Sequence, residues 1–246
     1  MSINFDRIAD RYDATRGGDE RGARVAEIIA GYLPRDEALV EIGVGTGLVA
    51  QAMGSGVIGV DISEAMLDLA RPRVPGRLVR ADAAALPFRD GAFAGGYGVW
   101  VFHLVEDPVA VLVEVRRVLR PGARFVVETA PTHPLGDSPI QAILAPMFEA
   151  ILRGPRPDVP DRLEEAGVAA GLTIHDVVTR DTSIEETPLD IADSIASRSS
   201  SAFWHVTPDQ WATHVEPALA ALRSLPDPHL PLRRVIVDTT VVLSMS

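Results

Sequence analysis

The stretch Val40-Glu41-Ile42-Gly43-Val44-Gly45-Thr46-Gly47-Leu48 predicts the fold of this chain. It starts as an apolar strand that carries one acid, continues with three alternating glycines, and leads into a predicted helix over residues 48–53. Glycine permits positive φ angles and close approach of a ligand to the backbone. The helix that follows offers unpaired N–H groups at its first turn. We therefore expect a small-molecule cofactor site at the carboxyl edge of a parallel sheet.

Outward from this stretch, predicted strands and helices alternate at short spacing. The strands are expected at residues 39–42, 57–60, 77–80, within 93–101 and at 124–128, and the helices at 21–32, 48–53, 63–71 and 107–119. Alternation of this kind indicates βαβ units with right-handed crossovers and a doubly wound α/β fold.

The regularity falls after residue 131. Helices are expected over residues 140–152, bent near Pro146, and over 161–170, 189–197 and 208–224, with a strand over 172–182. Residues 233–243 alternate into a long final strand, which suits an antiparallel addition to a parallel sheet. This irregular segment is expected to cover the cofactor edge and to shape a substrate pocket.

Composition excludes several classes of site. The chain has 246 residues, of which 47% are hydrophobic, and this length suits one α/β domain. It has no cysteine, which excludes disulfides, thiolate metal sites and thiol nucleophiles. All 23 basic residues are arginine, which excludes a Walker A lysine and a pyridoxal Schiff base. No metal-binding motif occurs either.

Charge and hydropathy indicate the class of partner and the cellular location. The net charge of −11 argues against nucleic acid or an anionic membrane as a partner. No apolar run approaches the ~20 residues that a membrane span needs. Residues 1–24 are polar and charged, unlike a signal peptide. We therefore expect a cytoplasmic protein that acts on a small molecule, and its oligomeric state is left open.

Two acids and one leucine discriminate between cofactors. The dinucleotide fingerprint G-x-G-x-x-G needs a third glycine where this chain has Leu48. Glu41 precedes the glycines, where a carboxylate would disfavour a pyrophosphate and suit an ammonium group. Asp61 ends the next predicted strand, where an acid can bind both hydroxyls of a ribose. A phosphate-free nucleoside with a cationic tail is S-adenosylmethionine.

The chain resembles the class I S-adenosylmethionine-dependent methyltransferases, and most closely those that methylate small molecules. The resemblance covers about residues 5–128. It is carried by Glu41-Ile42-Gly43-Val44-Gly45-Thr46-Gly47, Gly59-Val60-Asp61-Ile62-Ser63-Glu64-Ala65-Met66-Leu67, Ala81-Asp82-Ala83-Ala84-Ala85-Leu86-Pro87-Phe88 and Val118-Leu119-Arg120-Pro121-Gly122. It implies a Rossmann-like, seven-stranded, mostly parallel sheet with an antiparallel last strand and helices on both faces. It also implies a single domain over 1–246, with a cofactor-binding core at about 36–130 and lid or substrate-shaping segments at about 1–24 and 131–230.

The resemblance also assigns roles to individual residues. Gly43, Gly45 and Gly47 would pass under the methionine portion, with Asp61 on the ribose hydroxyls. The remaining cofactor contacts would be Ile62 and Met66 beside the adenine, Asp82 and the Ala83 N–H at its amine edge, and Val99 and Trp100 in the pocket wall. A polarisable thioether at Met66 suits an aromatic face, although a core methionine fits the same pattern.

Methyl transfer is an in-line displacement that needs alignment above all, and a general base helps when the acceptor is a hydroxyl. His103 is the candidate base, with a pocket wall or a structural hydrogen bond as alternatives. Tyr12 lies in a segment that resembles the family's N-terminal lid. His133 and the pair Trp204-His205 could also face the acceptor.

Two other functions stay open at this point. One is a nicotinamide-dependent oxidoreductase, NAD(P) being the cofactor that Leu48 and Glu41 argue against. The other is a non-catalytic S-adenosylmethionine-binding protein, since a fold does not fix a function. The acceptor itself cannot be read from the sequence.

Overall fold

The computed structural model describes residues 18–132, 138–152, 154, 156–198 and 200–245. These residues form two compact units. The first, called here the sheet unit, comprises the described residues up to 131 together with 156–179 and 238–245. The second, called the helical unit, comprises the described residues of 132–155 together with 180–237.

The strands of the described residues form one seven-stranded sheet in the order β3-β2-β1-β4-β5-β7-β6. Their bounds are β1 Leu39–Ile42, β2 Val57–Asp61, β3 Leu78–Arg80, β4 Phe93–Val99, β5 Leu119–Glu128, β6 Leu172–Glu186 and β7 Leu232–Met245. Strands β1 to β5 pair in parallel, and β7 runs antiparallel to β5. The predicted doubly wound sheet with a reversed last strand is confirmed.

The helices begin and end close to the predicted positions. They are α1 Gly18–Ala30, α2 Leu48–Met53, α3 Glu64–Ala70, α4 Pro108–Val118, α5 Pro139–Ile151, α6 Pro160–Ala169, α7 Pro188–Ala196, α8 Pro208–Gln210 and α9 Glu216–Arg223. Ser63 caps α3 by accepting the Met66 N–H, and Asp107 caps α4 by accepting the Ala110 N–H. Both caps follow the preference for serine and aspartate before a first helical turn.

Helices cover both faces of the sheet, because side chains alternate along each strand. In β5, Phe125 and Val127 join a cluster with α4 and α6, while Val126 joins a cluster with α1, α2 and α3. In β1, Val40 and Ile42 take the first face, so Glu41 shares the second face with Leu39. This alternation determines which side of the sheet the Glu41 carboxylate enters.

The helical unit has its own apolar cluster, built from α5, α7 and α9 with the short helical turns around them. Phe203 lies at ring-centroid distances of 5.9 Å from Phe148 and 6.0 Å from Trp211. A π-helical turn over Trp211–Val215 joins α8 to α9. None of the helices among the described residues has the length and apolarity that spanning a bilayer requires.

Two strands differ most from the prediction. Strand β6 continues to Glu186 because it lies at the sheet edge, where polar residues alternate with half-buried ones as far as the α7 cap. Strand β5 begins at Leu119, where the backbone becomes extended directly after α4. The substrate-shaping segment 131–230 stays a prediction. The single domain over residues 1–246 stays a prediction.

Candidate cofactor site at the carboxyl edge of the sheet

The three glycines of the loop after β1 serve different purposes. All three have left-handed φ angles, +69° at Gly43, +53° at Gly45 and +80° at Gly47. A Cβ atom on Gly43 would lie 2.4 Å from Val101 Cγ2, and one on Gly47 would lie 3.1 Å from Ala70 Cβ. No described atom lies within 4 Å of the corresponding position on Gly45. Packing therefore requires Gly43 and Gly47, whereas Gly45 leaves an open cradle against the backbone.

Asp61 ties this loop to the end of β2. Its Oδ2 atom accepts the Gly45 N–H and its Oδ1 atom accepts the Ser63 N–H, each with an N···O distance of 2.9 Å. Burial raises the pKa of the Asp61 carboxyl, and the hydrogen bonds from backbone N–H groups oppose that rise. Each carboxylate oxygen keeps lone-pair capacity for a further donor. Asp61 therefore lies beside the open cradle of Gly45, with room to accept two hydroxyls.

Glu41 lies on β1 beneath the loop and is 2% exposed. Its Oε2 atom accepts a hydrogen bond from the Tyr97 hydroxyl, with an O···O distance of 3.1 Å. Its carboxylate also accepts the Ala50 N–H in the first turn of α2. This helix has Gly47 at its N-cap, which offers no capping side chain. Glu41 therefore caps α2 from the neighbouring strand.

Burial dominates the ionisation of Glu41. Desolvation raises the pKa of its carboxyl well above the ordinary value, the Tyr97 hydrogen bond lowers it, the nearby Asp61 charge raises it and the Ala50 N–H lowers it. Two acids thus share one small region, which favours a ligand with positive charge and disfavours one with phosphates. Direct contact between Glu41 and a ligand stays a prediction, because the carboxylate has two donors from the protein.

The residues predicted for the adenine end differ in their exposure. Ile62 is 55% exposed, whereas Met66 is 2% exposed and packs in the sheet unit. Asp82 is exposed and its Oδ1 atom accepts the Ala84 N–H over 2.9 Å, which forms a turn with the half-buried Ala83 inside it. Ile62 and Asp82 therefore present surface that a base could contact, while a contact with Met66 would require its side chain to move.

The end of β4 carries the residues predicted for the pocket wall. Val99 is buried at 8% exposure, and Trp100 adopts a φ of +49°, which costs about 1–3 kcal/mol and is often found at functional sites. The Arg21 guanidinium of α1 lies 3.7 Å from the Trp100 ring centroid. His103 is half-buried in the 3₁₀ turn Phe102–Leu104 that follows. The candidate base thus lies just past the strand that adjoins β1.

The other candidates lie in the helical unit or outside the described residues. Tyr12 and His133 lie outside the described residues. Trp204 is half-buried and His205 is exposed, both in the helical unit. No group of three or more histidine, aspartate or glutamate side chains in the described part of the chain could hold a metal ion.

Tyr97 is a site residue that was not predicted from the sequence. It lies directly opposite Glu41 in the parallel β1–β4 pair and is completely buried. The available signal was a tyrosine inside a glycine-rich buried strand, because a buried phenol usually finds a hydrogen-bond partner. With an acid in the neighbouring strand, that partner could have been proposed.

Comparisons with known proteins identify the family of the chain. A family model described as a methyltransferase domain matches residues 40–127. The chain is 32% identical over 193 residues to the O-methyltransferase cnsE of Penicillium expansum, a match that covers 66% of this chain and 70% of that protein. It is 33% identical over 146 residues to a demethylmenaquinone methyltransferase of Clavibacter sepedonicus, covering 55% of this chain and 60% of that protein.

Solved structures share the fold. The geranyl diphosphate C-methyltransferase from Streptomyces coelicolor A3(2), solved with S-adenosylhomocysteine, has a TM-score of 0.54 at 20% identity, over 96% of this chain and 84% of that one. The [4+2]-cyclase SpnF has a TM-score of 0.60 at 18% identity, over 98% and 94% of the two chains. At such identities the likeness shows the fold alone.

The cradle and its acids fit the cofactor of this family. Gly45 leaves its backbone open to a ligand, Asp61 lies beside it, and the negative charge of the site suits a sulfonium and an ammonium group. S-adenosylmethionine is therefore the cofactor that the family and the residues indicate. The chain matches a 32% identical relative over 70% of that protein and also matches the methyltransferase domain model. It therefore belongs to the class I S-adenosylmethionine-dependent small-molecule methyltransferases.

Proposed function

We propose that this chain transfers a methyl group from S-adenosylmethionine to an oxygen, nitrogen or carbon atom of a small molecule, by in-line displacement. The observation that carries the proposal is the open backbone of Gly45 next to the Asp61 carboxylate. A Cβ atom at Gly45 would meet no atom of the described residues, so a ligand atom can approach the backbone at this point.

Each residue of the site has a proposed part in binding. Asp61 would accept the two ribose hydroxyls with its remaining lone pairs. Gly43, Gly45 and Gly47 would run beneath the methionine portion, with the Glu41 charge below them. Ile62 and Asp82 would bound the adenine, and Ala83 would offer its N–H. Val99 would close the pocket from β4.

The cofactor supplies a methyl group that is already activated on sulfur. What remains for the protein is to align the acceptor with that methyl group and to exclude water. We place His103 as general base when the acceptor is a hydroxyl, because it follows β4 at this edge of the sheet. Tyr12 remains a proposed lid residue over the methionine end.

The class of acceptor is proposed from the names of the relatives. The relatives are named for O-methylation and for methylation of demethylmenaquinone, which favours an oxygen or carbon acceptor on an apolar small molecule. The aromatic residues of the helical unit, such as Phe203 and Trp211, are consistent with a segment that shapes an apolar pocket. We also propose a cytoplasmic location, and, from the net charge of −11, the absence of a nucleic-acid partner.

Transfer of a labelled methyl group tests the function. The chain is incubated with S-adenosylmethionine labelled in the methyl carbon and with a panel of phenols, quinols, amines and carbon acids, and labelled product is counted. We expect product with at least one oxygen or carbon acceptor. For a hydroxyl acceptor, His103→Ala should slow transfer by roughly 10²-fold or more, the usual contribution of a general base. Binding of S-adenosylhomocysteine without any product would instead favour the non-catalytic alternative.

A further inference from the structure

Tyr97 and Glu41 form a buried polar pair, and the proposed function gives Tyr97 no part in cofactor binding. They lie opposite each other on adjacent parallel strands, and the Tyr97 hydroxyl donates to Glu41 Oε2 over 3.1 Å. Tyr97 is 0% exposed and Glu41 is 2% exposed. Water therefore cannot replace either partner in the folded chain.

We propose that Tyr97 is a positioning residue for the cofactor: its hydroxyl donates to the Glu41 carboxylate, favours its charged form over the neutral one, and orients it beneath the glycine loop. The inference rests on the proposed function, because only a cationic ligand above the loop benefits from that charge. Tyr97 would act through Glu41 and would not touch the reacting atoms.

The two hydrogen bonds to the Glu41 carboxylate support this role of Tyr97. A buried carboxylate is costly unless donors satisfy it, and Glu41 has the Tyr97 hydroxyl and the Ala50 N–H. The Ala50 N–H belongs to the first turn of α2, so it orients one side of the carboxylate toward the start of that helix. Tyr97 supplies the donor from the opposite element, β4. Without it, the carboxylate would keep one donor from the backbone and would turn freely about that bond.

The surrounding charges make the second donor important. Asp61 at the end of β2 acts on Glu41 as a like charge and favours its neutral form. Arg77 is a positive group that acts on Tyr97. The Tyr97 hydroxyl and the Ala50 N–H oppose the effects of desolvation and of the Asp61 charge on the Glu41 pKa, in part. Removing the hydroxyl should favour protonation of Glu41 and weaken attraction for a cation.

A second tyrosine provides a matched control. The Tyr32 hydroxyl donates to Asp176 Oδ2, also over 3.1 Å, but this pair lies away from the glycine loop. Tyr97→Phe and Tyr32→Phe each remove one phenol hydroxyl from one carboxylate and leave the ring in place. A purely structural role for Tyr97 predicts that the two variants behave alike in cofactor binding.

The experiment is calorimetric titration with S-adenosylmethionine, which carries the positive sulfonium, from pH 5.5 to 8.5, for the wild type and both variants. We expect Tyr97→Phe to weaken binding about tenfold near neutral pH, the loss of one hydrogen bond to a charged group. On acidification, the affinity of Tyr97→Phe should also begin to fall at a higher pH than that of the wild type. Tyr32→Phe should match the wild type in both respects.

Glu41→Gln tests the pair from the other side and serves if Tyr97→Phe fails to fold. It keeps the size of the side chain and its acceptor oxygen but cannot ionise. We expect it to remove the Glu41 part of the pH dependence, and Tyr97→Phe should add little on that background. The inference is overturned if Tyr97→Phe and Tyr32→Phe give the same affinities and pH profiles, or if Glu41→Gln leaves the wild-type pH profile intact. Failure of the wild type to bind at all would overturn the proposed function, and the inference with it.

Discussion

The sheet unit and the helical unit use different chemistry, and the difference determines what each reveals about function. In the sheet unit, a few polar groups lie near strand ends, where Asp61 accepts the Gly45 N–H of the glycine loop and Glu41 accepts the Tyr97 hydroxyl of the neighbouring strand. In the helical unit, an apolar cluster with aromatic contacts around Phe203 dominates. Polar groups at strand ends specify one class of cofactor. An apolar cluster suits many acceptors equally, so it specifies none.

Replacement of Asp61 should have the largest effect on the cofactor side. Asp61→Ala removes the proposed acceptor of both ribose hydroxyls and also frees the Gly45 N–H. At 1.5–3 kcal/mol for each hydrogen bond to a charged group, affinity for S-adenosylhomocysteine should fall by roughly 10²-fold or more. Asp68→Ala is the matched control, since Asp68 is an exposed acid on α3 that pairs with Arg71. Equal affinities of the two variants for S-adenosylhomocysteine would show that Asp61 takes no part in cofactor binding.

A methyl group in the cradle should have the next largest effect. Gly45→Ala and Gly91→Ala both place a side chain on a left-handed glycine with no described atom within 4 Å of the new Cβ, at φ +53° and +61°. Each should lose about 1–2 kcal/mol of stability, because the left-handed region disfavours a Cβ. Only Gly45→Ala should also lose cofactor affinity, by about tenfold or more for a contact forced into the ligand. Thermal unfolding together with titration separates the two effects.

Acidification should weaken cofactor binding more gradually. The folded chain raises the pKa of both Glu41 and Asp61. Their contribution to the stability of the free protein is therefore present below their unfolded values and is lost as the pH rises through the folded values. A cationic ligand needs the charged forms, so its affinity should fall as the pH drops through the raised pKa of Asp61, by about tenfold per pH unit for each group. Constant affinity from pH 7 to below 4 would contradict this.

A change in the helical unit should have the smallest effect on cofactor affinity. Phe203→Leu loosens the packing against Phe148 and Trp211 and should lower stability by about 1 kcal/mol. Its contacts lie within the helical unit, so affinity for S-adenosylhomocysteine should stay within about twofold of the wild type. Urea unfolding and titration of the same variant test both statements. A tenfold loss of affinity would mean that the cofactor site depends on this cluster.

Local sequence patterns predicted most of the fold, because the residues that form these patterns also make the contacts that stabilise each helix and strand. The Ser63 and Asp107 caps and the alternating strands all appear at or near the expected residues. The misses have a common physical origin. The extension of β6 to Glu186 depends on its place at the sheet edge, and the π turn at Trp211–Val215 depends on tertiary packing.

The same limit applies to the site. Gly45 and Asp61 are near each other because consecutive parallel strands bring their carboxyl ends together, which sequence spacing can anticipate. The Tyr97 hydroxyl reaches Glu41 across 56 residues of sequence, and the burial of Met66 depends on how α3 packs. Contacts between distant strands and the depth of a side chain arise only in the folded chain.

Calorimetric titration with S-adenosylhomocysteine and with NAD tests the central claim most directly, namely that the loop holds a phosphate-free nucleoside with a cationic tail. The account predicts that the wild-type chain binds S-adenosylhomocysteine and shows no heat of binding with NAD, and that Asp61→Ala loses the first signal. Tight binding of NAD, or binding of S-adenosylhomocysteine that survives Asp61→Ala undiminished, would contradict it.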